Sequence, residues 1–478
     1  METSTILSYF DEICKIPRES GHEEQIIEYL CNFAIKHNLE YKKDDAGNVV
    51  IIKKASKGKE HLPAIVLQSH SDMVCEKNSS STHDFSKDPI KYIIENGWMI
   101  APDTTLGADC GIGVAAQLAI LADQTINAPV IEALFTTEEE TGLTGAKSLK
   151  PGFISGKYLI NLDSEDEGEI FIGCAGGIDT TARFRYNSET ISGKREFLKL
   201  DIKGATGGHS GDDINKNRAN AVQLLARALY SLKKLTDFSL CEIDGGNKRN
   251  AIAREAFAII AIDKSNLQKS IEFIEIFNKD IKQEYNITEP QLTALATATF
   301  PRESSIDSGT TDNLILALNG VPHGVLAMSQ DIKDFVETST NLASVKMSEP
   351  GIITVCTSQR SSINSARYNA ANRIESVFIL AGAEVSHESE YPGWKPNPNS
   401  QLLKTGVASY VSLFGTEPLV KAIHAGLECG MFEAIYPGIE MISFGPTLRG
   451  VHAPGERLEI ASLEKFAKLL VHIIENIK

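Results

Sequence analysis

The spacing of apolar residues follows two different patterns along the chain, and the pattern changes near residue 190. In the first part, short apolar runs predict buried strands, and a helical pattern at 113–122 lies between two of them. Strands that alternate with helices are typical of a largely parallel α/β sheet. The predicted strands cover 49–52, 64–67, 130–135 and 158–162.

The chain begins with a helical signal. Ser20 and Glu23 have the spacing of a capping box, and an amphipathic run follows at 22–37. We therefore expect a helix that begins beside Glu23 and buries one apolar face.

After residue 190 the pattern is one of alternating strands combined with amphipathic helices. Strands are predicted at 197–202 and 256–262, helices at 218–232 and 266–285, and a second strand-then-helix unit at 352–357 and 364–382. This predicts an inserted α+β domain, built from a duplicated unit of ferredoxin-like type.

The segment 391–400 is rich in Pro, Asn and Gly and marks the return to the first domain. A helix at 419–429, a strand at 440–444 and a closing helix at 462–477 should follow. The predicted domains are a catalytic one at 1–190 and 395–478 and an inserted lid at 191–394.

Composition narrows the classes of function. A formal net charge of -16 disfavours nucleic acid and anionic membrane surfaces as partners. No run reaches the roughly 18 apolar residues of a spanning helix, and Glu2 precedes any apolar stretch, so we expect a cytoplasmic protein. The eight cysteines form no C-x-x-C pair and are expected to be reduced.

His70 and Asp72 directly follow the predicted strand at 64–67. In open α/β sheets ligands bind at the carboxyl ends of the strands. An H-x-D pair lets the imidazole bind a metal while the carboxylate orients the ring, although a surface turn has the same composition.

Two further loops carry acids after a strand or before a helix. Asp109 lies in a glycine-rich loop (TLGADCGIG) at the start of a helix, where simple helix capping is the alternative. Glu138, Glu139 and Glu140 follow the strand at 130–135; three adjacent acids usually face solvent, but this loop shares the sheet edge with His70.

Asp163 ends the strand at 158–162, and His452 lies in a loop near the carboxyl terminus. Together these oxygen and nitrogen ligands suit a pair of divalent ions such as zinc. Two ions that share a carboxylate would lower the pKa of a bridging water towards roughly 7, and an adjacent free carboxylate would act as general base.

The motifs HSD, GAD followed by GIG, and EE followed by one residue and Gly together resemble the co-catalytic di-zinc peptidases that include the aminoacyl-histidine dipeptidases. The resemblance extends over nearly the whole chain. It implies one zinc held by His70, Asp109 and Asp163 and a second held by Asp109, Glu140 and His452, with Asp109 as the bridge.

The same resemblance implies roles for the remaining acids. Asp72 would orient His70, and Glu139 would take a proton from the bridging water and pass it to the leaving amine. Cys110 stands where the family has Asn or Asp, at a peptide bond that the family tends to hold cis, and Gly455 replaces an acid expected after His452.

For the inserted domain the resemblance implies substrate contacts. His209, in GGHSG, matches the lid histidine that stabilises the oxyanion of the tetrahedral intermediate. Asn250, Arg360 and the backbone of Gly426 match positions that bind the terminal carboxylate. Read from residues alone, His209 suits a glycine-rich turn, and a lone strand arginine often only spreads over apolar surface.

The resemblance therefore implies a metal-dependent dipeptidase that hydrolyses Xaa-His and related dipeptides through a bridging hydroxide and a Glu general base. Its cofactors would be two Zn²⁺ per subunit, with Mn²⁺ or Co²⁺ as substitutes, its substrate a small peptide, and a homodimer is one candidate assembly. An aminoacylase or carboxypeptidase with the same centre is the enzymatic alternative. A non-catalytic scaffold is the other class, disfavoured because every ligand and Glu139 are present.

Overall fold

The computed structural model describes all 478 residues. None of its helices is both long and apolar enough to cross a membrane. The helices are α1 Thr3–Ile13, α2 Glu24–Lys36, α3 Ala108–Ala122, α4 Thr144–Ser148, α5 Ala221–Lys233, α6 Leu267–Glu284, α7 Ser308–Gly320, α8 Asn364–Leu380, α9 Gln401–Phe414, α10 Cys429–Ile435 and α11 Ile460–Asn476.

The strands form two large sheets and three small ones. The first twelve are β1 Glu40–Lys43, β2 Val49–Lys53, β3 Ile65–His70, β4 Ile93–Glu95, β5 Trp98–Ile100, β6 Ile131–Thr136, β7 Tyr158–Asn161, β8 Glu169–Cys174, β9 Gly176–Arg185, β10 Ser188–Thr190, β11 Arg195–Lys203 and β12 Gly208–His209. The others are β13 Phe238–Gly245, β14 Ala251–Ile252, β15 Ala256–Asp263, β16 Thr293–Ala298, β17 Ser304–Ile306, β18 Gly324–Met328, β19 Val336–Glu349, β20 Ile352–Ser361, β21 Glu384–Tyr391, β22 Leu419–Ile423, β23 Glu440–Ser443, β24 Leu448–Arg449 and β25 Arg457–Glu459.

The chain divides into two compact units. The first comprises Met1–Gly173, Trp394–Ala422 and Leu427–Lys478, and the second comprises Cys174–Gly393 and Ile423–Gly426. The second unit thus begins before residue 191, because β9 pairs along its whole length with β20 and so belongs to the second large sheet.

The first unit is built on an eight-stranded mixed sheet with the order β1-β2-β6-β3-β7-β23-β8-β22. Its central strands β6, β3, β7 and β23 are parallel, and the flanking pairs β2/β6 and β23/β8 are antiparallel. The predicted mixed α/β fold is confirmed. Parallel strands end on one side, so the loops after β3, β6 and β7 meet at one sheet edge.

The second unit contains a nine-stranded antiparallel sheet with the order β16-β11-β15-β13-β19-β20-β9-β21, on which β18 pairs with β19. Strands β11, β13, β15 and β16 with α5 and α6 have the β-α-β-β-α-β order of a ferredoxin-like unit. The same order recurs in β9, β19, β20 and β21 with α7 and α8, so the topology repeats as expected. Both repeats share one apolar core.

Two local predictions are wrong, and one helix was not predicted. Ser20 and Glu23 form no capping box, since the Ser20 hydroxyl donates to Asp72 and the Glu23 carboxylate accepts from the backbone of Glu138. The predicted helix at 419–429 is strand β22, a loop and only then α10, because its apolar residues serve a sheet edge first. Helix α1 was not predicted at all.

Candidate metal centre

The carboxyl ends of neighbouring strands place the predicted ligands together. His70 is the last residue of β3 and pairs with Thr136, the last residue of β6. Asp163 follows β7 by two residues, and the loop with Glu140 follows β6. Because these strands are adjacent and parallel, residues that are distant in the sequence lie together in one cluster.

His70, Asp109 and Asp163 form the first half of that cluster. The His70 Nε2 atom lies 3.2 Å from Asp109 Oδ1 and 3.3 Å from Asp163 Oδ1. Burial alone would lower the pKa of His70, but the surrounding carboxylates outweigh it and raise that pKa well above the ordinary value. A nitrogen that faces two carboxylate oxygens is the arrangement of a cation site with three ligands.

His452, Asp109 and Glu140 form the second half. The His452 Nε2 atom lies 3.0 Å from Asp109 Oδ2 and 3.0 Å from a Glu140 carboxylate oxygen. Hydrogen bonds to these two carboxylates raise the pKa of His452 to about 11. Each oxygen of Asp109 thus faces a different imidazole.

This donor set fits a pair of divalent ions. Three buried or half-buried carboxylates converge with two imidazoles, and burial together with Asp109 raises the pKa of Asp163 to about 6. Bound cations would remove this repulsion and match the borderline nitrogen and oxygen ligands that zinc takes. His70, Asp109 and Glu140 also have ligand atoms within 4.8 Å of one another.

Asp72 lies behind this cluster and makes contacts on both sides. One oxygen is 3.3 Å from His70 Nδ1, and the carboxylate accepts hydrogen bonds from the backbone N–H groups of Glu139 and Glu140 and from the Ser20 hydroxyl. Burial opposes ionisation, but these hydrogen bonds lower the pKa of Asp72 to about 2. Asp72 therefore contacts the imidazole on one side and the backbone of the acidic loop on the other.

Glu139 precedes Glu140 in the acidic loop, and its carboxylate takes part in none of the contacts described above. Burial, assisted by the charges of Asp163 and Glu428, raises its pKa well above the ordinary value, although His70 acts in the opposite direction. A half-buried carboxyl group with a raised pKa beside a cluster of possible metal ligands is typical of a catalytic acid or base.

Two residues that hold loops of the site in place, Arg18 and Glu456, were not predicted from the sequence. The Arg18 guanidinium is buried and donates to the backbone oxygens of Ser71, Asp72 and Gly107, joining the loop after β3 to the loop before α3. No motif marks Arg18, because it acts through backbone groups.

Glu456 is the second such residue. Its buried carboxylate accepts hydrogen bonds from four successive backbone N–H groups, those of residues 106–109, at the start of α3. Position 455, where the family resemblance implies an acid, is glycine, and the next residue is Glu456.

The peptide bond between Asp109 and Cys110 is cis. The Cys110 thiol is buried and lies 3.4 Å from the backbone oxygen of Leu162. Its sulfur also lies within 4.8 Å of ligand atoms of His70 and Asp163. The substitution at this position leaves every predicted ligand in place.

The predicted residues of the second unit also lie close together. The backbone N–H of Ser210 donates to the backbone oxygen of Asn250, which ties the loop of His209 to that of Asn250. Arg360 lies on β20, is 8% exposed, and contacts the backbone oxygen of His424 at 3.4 Å. Gly426 packs so closely on Tyr391 that an added Cβ would come within 2.9 Å of the ring.

The chain belongs to peptidase family M20/M25/M40, whose model matches residues 66–476. It is therefore a peptide-bond hydrolase of a metal-dependent family.

Two proteins illustrate the similarity. The chain is 40% identical over 470 residues to the cytosol non-specific dipeptidase of Escherichia coli, covering 98% of this chain and 96% of that protein. The structure of aminoacylhistidine dipeptidase from Vibrio alginolyticus superposes with a TM-score of 0.94 at 38% identity, covering 100% of this chain and 98% of the other.

A tripeptidase from Staphylococcus aureus shares the fold alone, with a TM-score of 0.58 at 19% identity over 100% of this chain and 99% of that one.

Proposed function

We propose that the protein is a metal-dependent dipeptidase. The observation that carries the proposal is the position of Asp109, whose two carboxylate oxygens each face the imidazole of a different histidine, His70 and His452. A carboxylate shared in this way suits a two-metal hydrolase. The similarity to two dipeptidases over nearly the whole chain supports the same substrate class.

The proposed cofactor is a pair of zinc ions, with Mn²⁺ or Co²⁺ as substitutes. His70, Asp109 and Asp163 would hold one ion, and Asp109, Glu140 and His452 the other. When bound, such ions polarise the peptide carbonyl and make water acidic enough to attack it at neutral pH.

Glu139 is the proposed general base. Its carboxylate accepts a proton from the attacking water and then donates it to the nitrogen of the leaving amine, so that one residue serves both halves of the reaction. Asp72 holds the backbone N–H of Glu139 at 3.1 Å, which fixes the loop that carries this base.

His209 is the proposed donor to the oxyanion. Its Nδ1 atom lies 3.3 and 3.2 Å from the backbone N–H groups of Gly211 and Asp212, which makes Nδ1 an acceptor. In the neutral ring the hydrogen is then on Nε2, which is free to donate. The Asp212 carboxylate lies 3.4 Å from the same Nδ1 and would pair with a protonated ring, which also carries a hydrogen on Nε2.

Arg360, Asn250 and the backbone of Gly426 are the proposed binders of the substrate's terminal carboxylate. The Arg360 Nε atom is buried and has no hydrogen-bond partner, so this guanidinium retains donors for a ligand. An arginine fork matches a carboxylate with two parallel hydrogen bonds. An enzyme that holds this carboxylate while it cleaves the adjacent peptide bond removes the carboxyl-terminal residue of its substrate, and the similarity to two dipeptidases favours a substrate of two residues.

A cytoplasmic location is proposed from the name of the Escherichia coli relative. A homodimer is proposed as the assembly. A division of labour between a catalytic first unit and a substrate-binding second unit is part of the same proposal.

The test is hydrolysis of a dipeptide panel that includes Xaa-His, beside matched tripeptides and N-acetyl amino acids, by the zinc-loaded protein. We expect cleavage of dipeptides and little cleavage of tripeptides. Activity confined to N-acetyl amino acids would support the aminoacylase alternative, and carboxyl-terminal trimming of longer peptides would support the carboxypeptidase. Inactivity on every substrate would contradict an enzymatic role.

A further inference from the structure

A chain of buried side-chain hydrogen bonds crosses the carboxyl ends of β6, β3, β7 and β23. The Glu428 Oε2 atom accepts from Thr136 Oγ1 at 2.8 Å and from Gln68 Nε2 at 2.5 Å. Gln68 Oε1 in turn accepts from Asn161 Nδ2 at 2.6 Å, and Asn161 Oδ1 accepts from Ser443 Oγ at 2.5 Å. These five residues are all fully buried.

The residues of this hydrogen-bond series lie next to the candidate metal ligands at the ends of the strands. Gln68 precedes His70 by two residues on β3, so both side chains lie on the same face of the sheet. Asn161 precedes Asp163 by two residues at the end of β7. Thr136 ends β6, from which the loop of the acidic residues departs.

Glu428 differs from the other members because it does not lie on a strand. It precedes α10 directly and is 0% exposed. Its second oxygen, Oε1, has no hydrogen-bond partner. Burial raises the pKa of Glu428 to about 8, so the carboxyl group is mainly protonated at pH 7, which avoids an unpaired buried charge.

None of the roles derived above uses this residue. A buried acid costs free energy unless its contacts repay it, and the contacts of Glu428 are to one residue on each of two adjacent strands, β3 and β6. Strand β3 ends in His70, and β6 leads into the loop with Glu139 and Glu140 at the same edge of the sheet.

We propose that Glu428 is a positioning residue of the metal centre. Through Gln68 and Thr136 its carboxyl group holds the end of β3, with His70, at a fixed distance from the end of β6, with Glu139 and Glu140. The role of Glu139 in this proposal rests on the proposed function. The proposed positioning of the metal ligands by Glu428 does not depend on which substrate is cleaved.

The test compares Glu428→Leu, which removes the acceptor, with Glu428→Gln, which keeps an oxygen for Gln68 and Thr136. Glu132→Leu is the matched control, because Glu132 is also a buried acid, lies at the other end of β6 and accepts from Ser155 and Gly156. Each variant is titrated with zinc against a chelating indicator, and kcat and KM are measured on a dipeptide.

We expect Glu428→Leu to bind zinc 10- to 100-fold more weakly and to lower kcat by a similar factor with KM nearly unchanged, as is typical when the support of a metal ligand is removed. Glu428→Gln should stay within about threefold of the wild type in both quantities, because it preserves the hydrogen bonds. Glu132→Leu should lower the unfolding temperature without weakening zinc binding.

Zinc affinity and kcat that are unchanged in Glu428→Leu would overturn the proposal, as would a loss in the Gln variant as large as in the Leu variant. If Glu428→Leu does not fold, Thr136→Val removes one of the two donors at similar volume and should weaken zinc binding severalfold; unchanged binding there would equally overturn it. A wild type that binds zinc but cleaves no dipeptide would contradict the proposed function, and the zinc titration would still decide the role of Glu428.

Discussion

At the scale of single residues, protons on the imidazoles and carboxyl groups balance the negative charge of the metal-free site, which bound cations would balance instead. His70 and His452 each face two carboxylates, and the pKa of both is raised. Burial and the neighbouring Asp109 carboxylate raise the pKa of Asp163 to about 6. Cation binding must therefore displace protons.

This gives a pH prediction for the metal-free protein. The pKa of His452 is about 11 in the folded state against an ordinary 6.5, so its stabilising contribution is complete below pH 6.5 and is lost as the pH rises towards 11. Its side chain is 49% exposed, so solvent screening reduces this share. Asp163, whose pKa is raised to about 6, adds a further loss of stability as the pH rises from about 4 to 6.

Zinc bound at the proposed site would replace these protons, so its affinity should increase about tenfold per pH unit for each proton displaced. Calorimetric unfolding of chelator-treated and zinc-loaded protein at pH 6 and pH 8 measures this. The difference between the two unfolding temperatures should be larger at pH 8. An equal or smaller difference at pH 8 would show that protons and zinc do not compete at the same groups.

At the scale of secondary-structure elements, the start of α3 is held by a carboxylate. Glu456 accepts from four backbone N–H groups there, including that of Asp109, the proposed bridge between two metal ions. We predict that Glu456→Gln weakens zinc binding 10- to 100-fold, because the neutral amide holds the loop less firmly.

The matched control is Glu440→Gln. Glu440 also bonds the start of a helix, accepting from the Leu402 N–H and the Ser400 hydroxyl at α9, and is not part of the metal cluster. It should lower stability by about 1 kcal/mol without affecting zinc titration. Equal zinc affinities in both variants would contradict a role for Glu456 in supporting the metal centre.

Five of the eight strands in the large sheet of the first unit, and the positions of His70 and Asp163 at or just after the ends of two of them, could be predicted from the sequence. Apolar runs mark buried strands, and polar residues that interrupt them at the strand ends mark the site. Asp163 and His70 were found in this way. The helix expected at 419–429 failed because an apolar run alone does not distinguish an edge strand from a helix.

Arg18, Glu428 and Glu456 were missed for another physical reason. Each acts on groups that are distant in the sequence, and Arg18 and Glu456 act almost entirely on backbone atoms, which every residue has. No spacing rule connects Glu456 with residues 106–109, since only the folded chain brings them together. Supporting contacts of this type require coordinates.

At the scale of the whole molecule, the second unit is proposed to bind the substrate's terminal carboxylate. We predict that Arg360→Lys raises the KM of dipeptides 10- to 100-fold with little change in kcat, because a lysine cannot form two parallel hydrogen bonds. The variant should also lose most of the preference for a dipeptide over its carboxyl-terminal amide.

Arg302→Lys is the control for this prediction, since Arg302 forms a partly exposed ion pair with Glu242 in the same unit. Its kinetics should match those of the wild type. A KM that is unaffected in Arg360→Lys would place carboxylate binding elsewhere.

The central claim is that Glu139 moves the proton in a reaction carried out at a two-metal site. The most direct test is to measure zinc content and dipeptide hydrolysis of Glu139→Gln beside the wild type. The account predicts two zinc ions per chain in both proteins and a kcat at least 100-fold lower in the variant. A variant that keeps its kcat, or that loses activity only because it has lost zinc, would contradict the claim.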